Sequence, residues 1–271
     1  MQPLYILKIG GSVATHKDKA GVSVRTDLLG EIARSIKKAQ AKKKFDLILI
    51  HGAGAAGHQI ANKYGLEGGS LGNDRKFNGS LLCNLEIQKL DDAVTEVFVS
   101  GGMKVFPIRT SSVIVQKNKT IEYFDTRMVE ESLRRGCPPM LYGEMVFDSE
   151  LDMSACSGDA IASVLARKMK AEKIFFASDI DGIFDKDPHR HSDAKLVENI
   201  GLKEILGNDK IKISGSHSVD VTGGLGGKIR SLGLKYGNYL KTVEIFNGLD
   251  GKNFENALLG KDFPHTVIKI K

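Results

Sequence analysis

The sequence predicts an α/β fold, a three-layer αβα sandwich around a mostly parallel central sheet. Short apolar runs rich in β-branched residues alternate with helix-length amphipathic segments, the order that builds βαβ units with a sheet covered on both faces. The first two runs also end directly in glycine-rich loops, as parallel strands do at the carboxyl edge where an open α/β sheet holds its ligand.

The elements follow in chain order. LYILKI at 4–9 is the first strand and runs into Gly10 and Gly11. Residues 27–42 carry Leu28, Leu29, Ile32 and Ile36 at helical spacing. The basic run KKAQAKKK ending at Lys44 continues that pattern, so it reads as a solvated helix end rather than a patch for a phosphate backbone. FDLILI at 45–50 is the second strand, with a helix expected after Gly57. KVFPI, PPMLYG, EKIFFAS and TVEIFN supply further strands. Segment 111–127 alternates apolar and polar residues around Lys117-Asn118-Lys119, which predicts a hairpin on the sheet edge or a flap. The polar, glycine-rich stretches 65–80 and 207–227 read as loops or lids. A soft boundary near 165, after a helix beginning at Asp159, divides lobe 1–165 from lobe 166–271. No Pro- or Ser-rich linker separates them, so one continuous domain sharing a single sheet is expected.

Composition narrows the classes. A chain of 271 residues with 41% hydrophobic and 27% charged residues has globular proportions, which excludes disordered, collagenous and coiled-coil readings. Its 30 glycines exceed the usual share of about 7% and predict tight loops near ligands. No window approaches the roughly 18 uncharged apolar residues of a membrane helix, and the start MQPLYILKIGGS lacks a secretion-signal pattern, so cytoplasm is the expected location. Cys83, Cys137 and Cys156 are far apart, without C-x-x-C or a histidine pair; buried thiols are expected rather than disulfides or zinc ligands. The net charge of +6 is spread along the chain, so no nucleic-acid partner is expected.

The chemistry lies in the glycine clusters. His51-Gly52-Ala53-Gly54-Ala55-Ala56-Gly57-His58 follows the second strand and matches G-x-G-x-x-G. A dinucleotide site also needs an acidic residue about 20 positions on, at a strand end. Asp74 has the spacing but lies in the polar stretch GGSLGNDRK, and the first strand ends in a different glycine loop. What survives is an anion site made of backbone N–H groups at a helix start, or a glycine turn that packs a helix close to a sheet. Lys8 ends the first strand beside Gly10, Gly11 and Ser12. A desolvated ammonium without a partner costs several kcal/mol, so Lys8 either faces phosphate or snorkels from a sheet edge.

Asp220-Val221-Thr222-Gly223-Gly224-Leu225-Gly226-Gly227-Lys228 resembles a Walker A loop but is not one. Thr222 stands where its first glycine belongs, and Ile229 where Ser or Thr would hold magnesium. Its amides and lysine still suit a triphosphate tail. Ser157-Gly158-Asp159 opens a helix; the Asp159 carboxylate caps it or orients the phosphate-binding lysines, and both roles are compatible. Asp179-Ile180-Asp181-Gly182 follows the strand KIFFA, where a carboxylate contacts ribose or a metal–phosphate group, or forms an Asx turn. Three glycine loops, two of them carrying a lysine, converge on phosphoryl transfer, which is mostly positioning and charge stabilisation.

Taken together, LKIGGSVATHK at 7–17, HGAGAAGH at 51–58, PIRTSS at 107–112, MLYGEMVFD at 140–148, SGDAIA at 157–162, SDIDGIFDKDP at 178–188, DVTGGLGGK at 220–228 and IFNG at 245–248 resemble the amino acid kinase superfamily, and within it the isopentenyl phosphate kinases. The resemblance covers essentially the whole chain. It implies an N-terminal lobe for the acceptor, a C-terminal lobe for ATP, Mg²⁺ with the nucleotide, no metal site of the protein's own, and a homodimer. By position it implies that Lys8 and Lys228 stabilise the transferring phosphoryl, that Lys17 assists the phosphate chain, and that Asp159 orients the lysines. Gly10, Gly11, Ser12, Gly54, Asp179, Gly182 and Gly224 would contact ATP, and Ala53, Gly54, His58 and Gly158 the acceptor. His58 is the discriminating position: family members that phosphorylate carboxylates generally lack it, whereas isopentenyl phosphate and fosfomycin kinases bind a phosphate or phosphonate with it. The usual Gly-Gly-Gly-Ser-Phe-Gly before this histidine is altered here, with Ala53, Ala55 and Ala56 in place of Gly, Ser and Phe. The activity so implied is ATP-dependent phosphorylation of a small monophosphate, isopentenyl phosphate foremost. The alternatives are a fosfomycin-type phosphonate kinase, another small-molecule kinase of the superfamily, or a non-catalytic nucleotide- or anion-binding protein on the same fold.

Overall fold

A computed structural model of the chain describes residues 2–16, 21–186, 188, 190–207 and 239–270. Alternation along the buried strands sets the layers. On β1 (Leu4–Ile9), Tyr5, Leu7 and Ile9 face one side of the sheet and Ile6 the other. β2 (Asp46–His51) divides in the same way, with Leu47 and Leu49 on one face and Ile48 and Ile50 on the other.

α1 (Gly11–Ala14) is a single turn after β1, and α2 (Thr26–Lys42) buries Leu29, Ile32 and Ile36 on the Tyr5 face. The end of the basic run lies in solvent, where Lys42 pairs with Glu255. α3 (Gly54–Tyr64) begins four residues earlier than the glycine pattern suggests. Gly54 turns the chain at φ +65°, and Ala55 and Ala56 then favour continuing as helix. The stretch 65–80 is a loop only in part, because α4 (Asp74–Ser100) begins within it. Asn73 caps that helix, its side chain accepting the Lys76 N–H at 3.0 Å, a contribution of about 1 kcal/mol. Gly79 lets α4 pack on α3, since a Cβ there would overlap the Tyr64 ring.

β3 (Phe106–Pro107) is short. β4 (Ile114–Lys117) and β5 (Thr120–Phe124) form the expected hairpin, with Asn118 and Lys119 at φ +45° and +63° in its two-residue turn. Rather than edging the main sheet, the hairpin joins a second one. α5 (Arg127–Arg134) leads to β6 (Pro139–Tyr142), and β7 (Glu144–Asp148) and β8 (Asp152–Cys156) complete that smaller sheet in the order β5-β4-β7-β8. The Asp148 carboxylate ties it together by accepting the Asn118, Lys119, Glu150 and Leu151 N–H groups and the Ser154 hydroxyl.

α6 (Gly158–Lys168) packs Ile161 and Leu165 on the Ile6 face. β9 (Lys173–Ser178), β10 (Asn199–Gly201), α7 (Leu202–Gly207), β11 (Thr242–Asn247), the helix Lys252–Leu259 and β12 (His265–Lys269) follow. The main sheet has the order β10-β12-β11-β9-β1-β2-β6-β3, and among the described residues only β11 and β12 pair antiparallel. Helices cover both faces, giving the mixed α/β architecture with a mostly parallel central sheet. No described helix is long and apolar enough to cross a membrane. Cys83 and Cys156 are buried as expected; Cys137 is not, being half-buried where its thiol meets the Lys104 carbonyl.

Candidate active site

The β1 register places Lys8 between Ile50 of β2 and Phe176 of β9. Lys8 therefore lies in the middle of the sheet, which removes the edge-lysine alternative. Alternation directs its side chain to the Ile6 face, where α6 starts, and Nζ lies 2.9 Å from Asp159 Oδ1. Both side chains are under a tenth exposed, at 8% and 7%. Two ions desolvated to this degree persist only as a pair with further polar partners. The helix cap is Ser157, not Asp159: the Ser157 hydroxyl accepts the Ala160 N–H at 3.1 Å. That leaves the Asp159 carboxylate to hold Lys8.

The glycine loops meet back to back beside this pair. The Gly10 N–H donates to the Ala177 carbonyl at 2.8 Å, tying the first loop to β9. A Cβ on Gly52 would lie 2.7 Å from the Gly11 nitrogen, and one on Gly11 3.0 Å from the Gly54 nitrogen. Close packing of backbone on backbone thus requires these glycines. Thr15 joins the loops: its hydroxyl donates to the Gly11 carbonyl at 2.8 Å and accepts the Ala55 N–H at 3.3 Å. Gly158 fits against the same point, since its Cβ would meet Ile50, the His51 carbonyl and Lys8 Cε at 3.1, 3.3 and 3.4 Å. Lys8, Gly10, Gly11, Ser12, Ala53, Gly54, Gly158 and Asp159 are brought together at the carboxyl ends of β1 and β2.

His58 is half-buried and lies one turn into α3 rather than at its start, because the helix begins at Gly54. Asp179 and Gly182 follow β9, the neighbouring strand. The Ser178 hydroxyl donates to Asp179 Oδ1 at 3.4 Å, and Asn247 of β11 donates to Asp181 Oδ1 at 3.0 Å. Gly182 packs on Thr266, where a Cβ would overlap the hydroxyl that accepts the Ile183 N–H. Lys17, Gly224 and Lys228 lie outside the described residues.

A buried polar group under the second loop escaped the sequence reading. His51 is fully buried; Nε2 lies 3.0 Å from Asp91 Oδ1, Nδ1 lies 2.9 Å from the Gly52 carbonyl, and the ring stacks on Tyr142. Glu144, at the start of β7, accepts the Ser111 N–H, while Oε2 has no hydrogen-bond partner among the described residues and Arg109 Nε is 4.0 Å away. Burial raises the Glu144 carboxyl above its ordinary value, against the pull of Ser111 and Arg109. Burial and the Glu144 charge push the Cys83 thiol up to about 12 and raise Cys156 as well, so neither is a nucleophile at neutral pH. Asp91 sits 40 residues from His51 in an ordinary-looking helix, and Thr15 in a short turn; nothing in their local sequence marks them.

Chemically, the described residues of the site offer a buried ammonium held by a carboxylate, and amides at the carboxyl edge of a parallel sheet. That set suits phosphate oxygens. Comparison with known proteins agrees. The sequence pattern of the amino acid kinase family matches residues 3–232. The chain is 32% identical to isopentenyl phosphate kinase of Methanothermobacter thermautotrophicus, over 99% of this chain and 100% of the relative. It is 33% identical to isopentenyl phosphate kinase of Methanocaldococcus jannaschii, over 95% and 96% of the two chains. Among solved structures, one of isopentenyl phosphate kinase superposes with a TM-score of 0.80 at 28% identity, covering 98% of this chain and 100% of that one. The chain belongs to the amino acid kinase family.

Proposed function

We infer that the chain is a kinase that transfers the terminal phosphoryl group of ATP to isopentenyl phosphate, giving isopentenyl diphosphate and ADP. The observation that carries the reading is the buried Lys8–Asp159 pair among glycine loops at the carboxyl ends of β1 and β2; full-length similarity to isopentenyl phosphate kinases supplies the acceptor. An acceptor phosphate oxygen forms a bond to the γ-phosphorus as the bond to the β–γ bridging oxygen breaks, and that oxygen leaves with ADP. Charge on the transferring group is stabilised by Lys8, whose ammonium Asp159 keeps in place. Lys228 and Lys17 add positive charge along the phosphate chain. His58 donates to the acceptor phosphate, with the Ala53, Gly54 and Gly158 amides beside it.

Glycine at 10 and 11 keeps this stretch of backbone bare of side chains at the carboxyl edge of the sheet, which fits ATP phosphates in contact with Gly10, Gly11, Ser12 and Gly54. Gly224 lines the nucleotide in the same reading, and Asp179 and Gly182 border its ribose or metal–phosphate end. Mg²⁺ neutralises triphosphate charge and enters with the nucleotide, as this ion commonly does. Lobe 1–165 then binds the acceptor and lobe 166–271 ATP, in a cytoplasmic homodimer; exposed Leu81, Leu82 and Leu85 on α4 supply an apolar face for the second copy. A coupled ADP-release assay across alkyl phosphates, phosphonates and amino acids tests the reading. Turnover should be fastest with isopentenyl phosphate, and a faster reaction with an amino acid or phosphonate would replace the acceptor.

A further inference from the structure

We propose that His51, held by Asp91, is a positioning residue that turns the Ala53 N–H toward the phosphate of the acceptor. The inference rests on the reading of the chain as a phosphate-accepting kinase. Both ring nitrogens of His51 are committed in a dry site. Nδ1 faces the Gly52 carbonyl at 2.9 Å, and a carbonyl oxygen can only accept, so Nδ1 carries a proton and donates. Nε2 faces Asp91 Oδ1 at 3.0 Å, which anchors the far edge of the ring. The ring cannot swing away, because it is fully buried and stacked on Tyr142 at 5.3 Å between centroids.

The consequence lies one peptide plane further on. The Gly52–Ala53 bond is trans and planar, so the Ala53 N–H points opposite to the Gly52 carbonyl. By drawing that carbonyl inward, His51 turns the Ala53 amide outward, at the start of α3. Among the described residues no acceptor takes this N–H. Gly52 cannot relax in the other direction, since its Cα packs on the Gly11 backbone. The second loop therefore presents a donor whose direction is set from below by a His–Asp pair.

Side-chain isosteres separate positioning from bulk stability. Asn at 51 keeps a donor near the Nδ1 position, whereas Gln keeps one near Nε2 and loses the Gly52 contact. Asn at 91 still engages Nε2, and Ala at 91 does not. For His51→Gln and Asp91→Ala we expect the KM for isopentenyl phosphate to rise about 10- to 100-fold, as for a lost hydrogen bond to a charged group, with the KM for ATP within about 2-fold of wild type. His51→Asn and Asp91→Asn should stay within about 3-fold in both. Equal effects of the two residue-51 variants, or parallel changes in both KM values, would overturn the proposal. Should the damaging variants fail to fold, the wild-type chain still decides: its ¹⁵N-labelled Ala53 amide should move downfield as isopentenyl phosphate is titrated in, and an unmoved resonance overturns the assignment. A wild-type chain inert towards isopentenyl phosphate refutes the functional reading instead, and inorganic phosphate titrated against the Ala53 amide then tests the positioning alone.

Discussion

Replacing Asp159 by Asn removes the negative charge beside Lys8 with almost no change in volume. The two groups are 2.9 Å apart and more than nine-tenths buried, so the variant takes this carboxylate away from an ammonium in a dry site. Breaking one side of such a pair costs about 3–5 kcal/mol. Unfolding entropy near the transition is about 2.1 cal/mol/K per residue, so 271 residues give roughly 0.6 kcal/mol per degree, and Tm should fall by about 5–9 °C. In the proposed reaction Asp159 holds Lys8 where charge develops, so activity should fall further, with kcat about 10²- to 10⁴-fold lower. The double variant Lys8→Met/Asp159→Leu separates the two effects. An apolar pair of similar size should restore most of the Tm, yet kcat should remain as low as in the single variant. Differential scanning fluorimetry and the ADP-release assay measure both quantities. An Asp159→Asn protein within 1 °C and 2-fold of wild type, or a double variant that regains turnover, would refute the assignment of the pair to the chemistry.

Other outcomes follow from the same geometry. His58→Ala should raise the KM for isopentenyl phosphate at least 10-fold with the KM for ATP nearly unchanged, and equal loss of both in steady-state kinetics would make His58 structural. Burial pushes the Asp148 carboxyl up, but hydrogen bonds from Lys119, Ser154, Glu150 and Asn118 outweigh it and lower the group from 3.8 to about 2. Its contribution, roughly 2–2.5 kcal/mol, is therefore present above pH 4 and lost between about pH 4 and 2; chemical denaturation should show Asp148→Asn lacking that acid-labile part. Glu144 has the opposite sign. With its carboxyl raised, the fold favours the protonated form, so stability falls as pH rises through the folded pKa, and Glu144→Gln should flatten the Tm profile on the alkaline side of the ordinary carboxyl range and raise Tm there. A steeper profile in that variant would contradict the burial argument.

Much of the fold was legible because short, near-continuous apolar runs such as LYILKI and EKIFFAS have the length of strands buried on both faces, and their spacing by helix-length segments fits crossover connections. The start of α3 was misjudged because glycines suggest a loop, whereas here Gly54 turns the chain and the alanines after it are already helical. The start of α4 was hidden because the whole stretch 65–80 reads as polar loop, although the side chain of Asn73 within it is the helix cap. At the site, Lys8 and Asp159 were identifiable because a lysine at a buried strand end and a carboxylate at a helix start each demand a partner. Their pairing with one another, 151 positions apart (159 − 8), is a product of sheet order and of the face that alternation assigns to Lys8. His51–Asp91 and Thr15 were not identifiable, since a histidine inside a glycine motif and an aspartate in a long helix carry no spacing that links them.

Transfer of a phosphoryl group from ATP to the phosphate of isopentenyl phosphate is read directly by ³¹P NMR of the chain with both compounds and Mg²⁺. The isopentenyl phosphate singlet should be replaced by a pair of mutually coupled diphosphate doublets as ATP gives way to ADP, with the conversion lost in Lys8→Ala. ATP hydrolysed only to inorganic phosphate, or an unchanged isopentenyl phosphate singlet beside intact ATP, would contradict it.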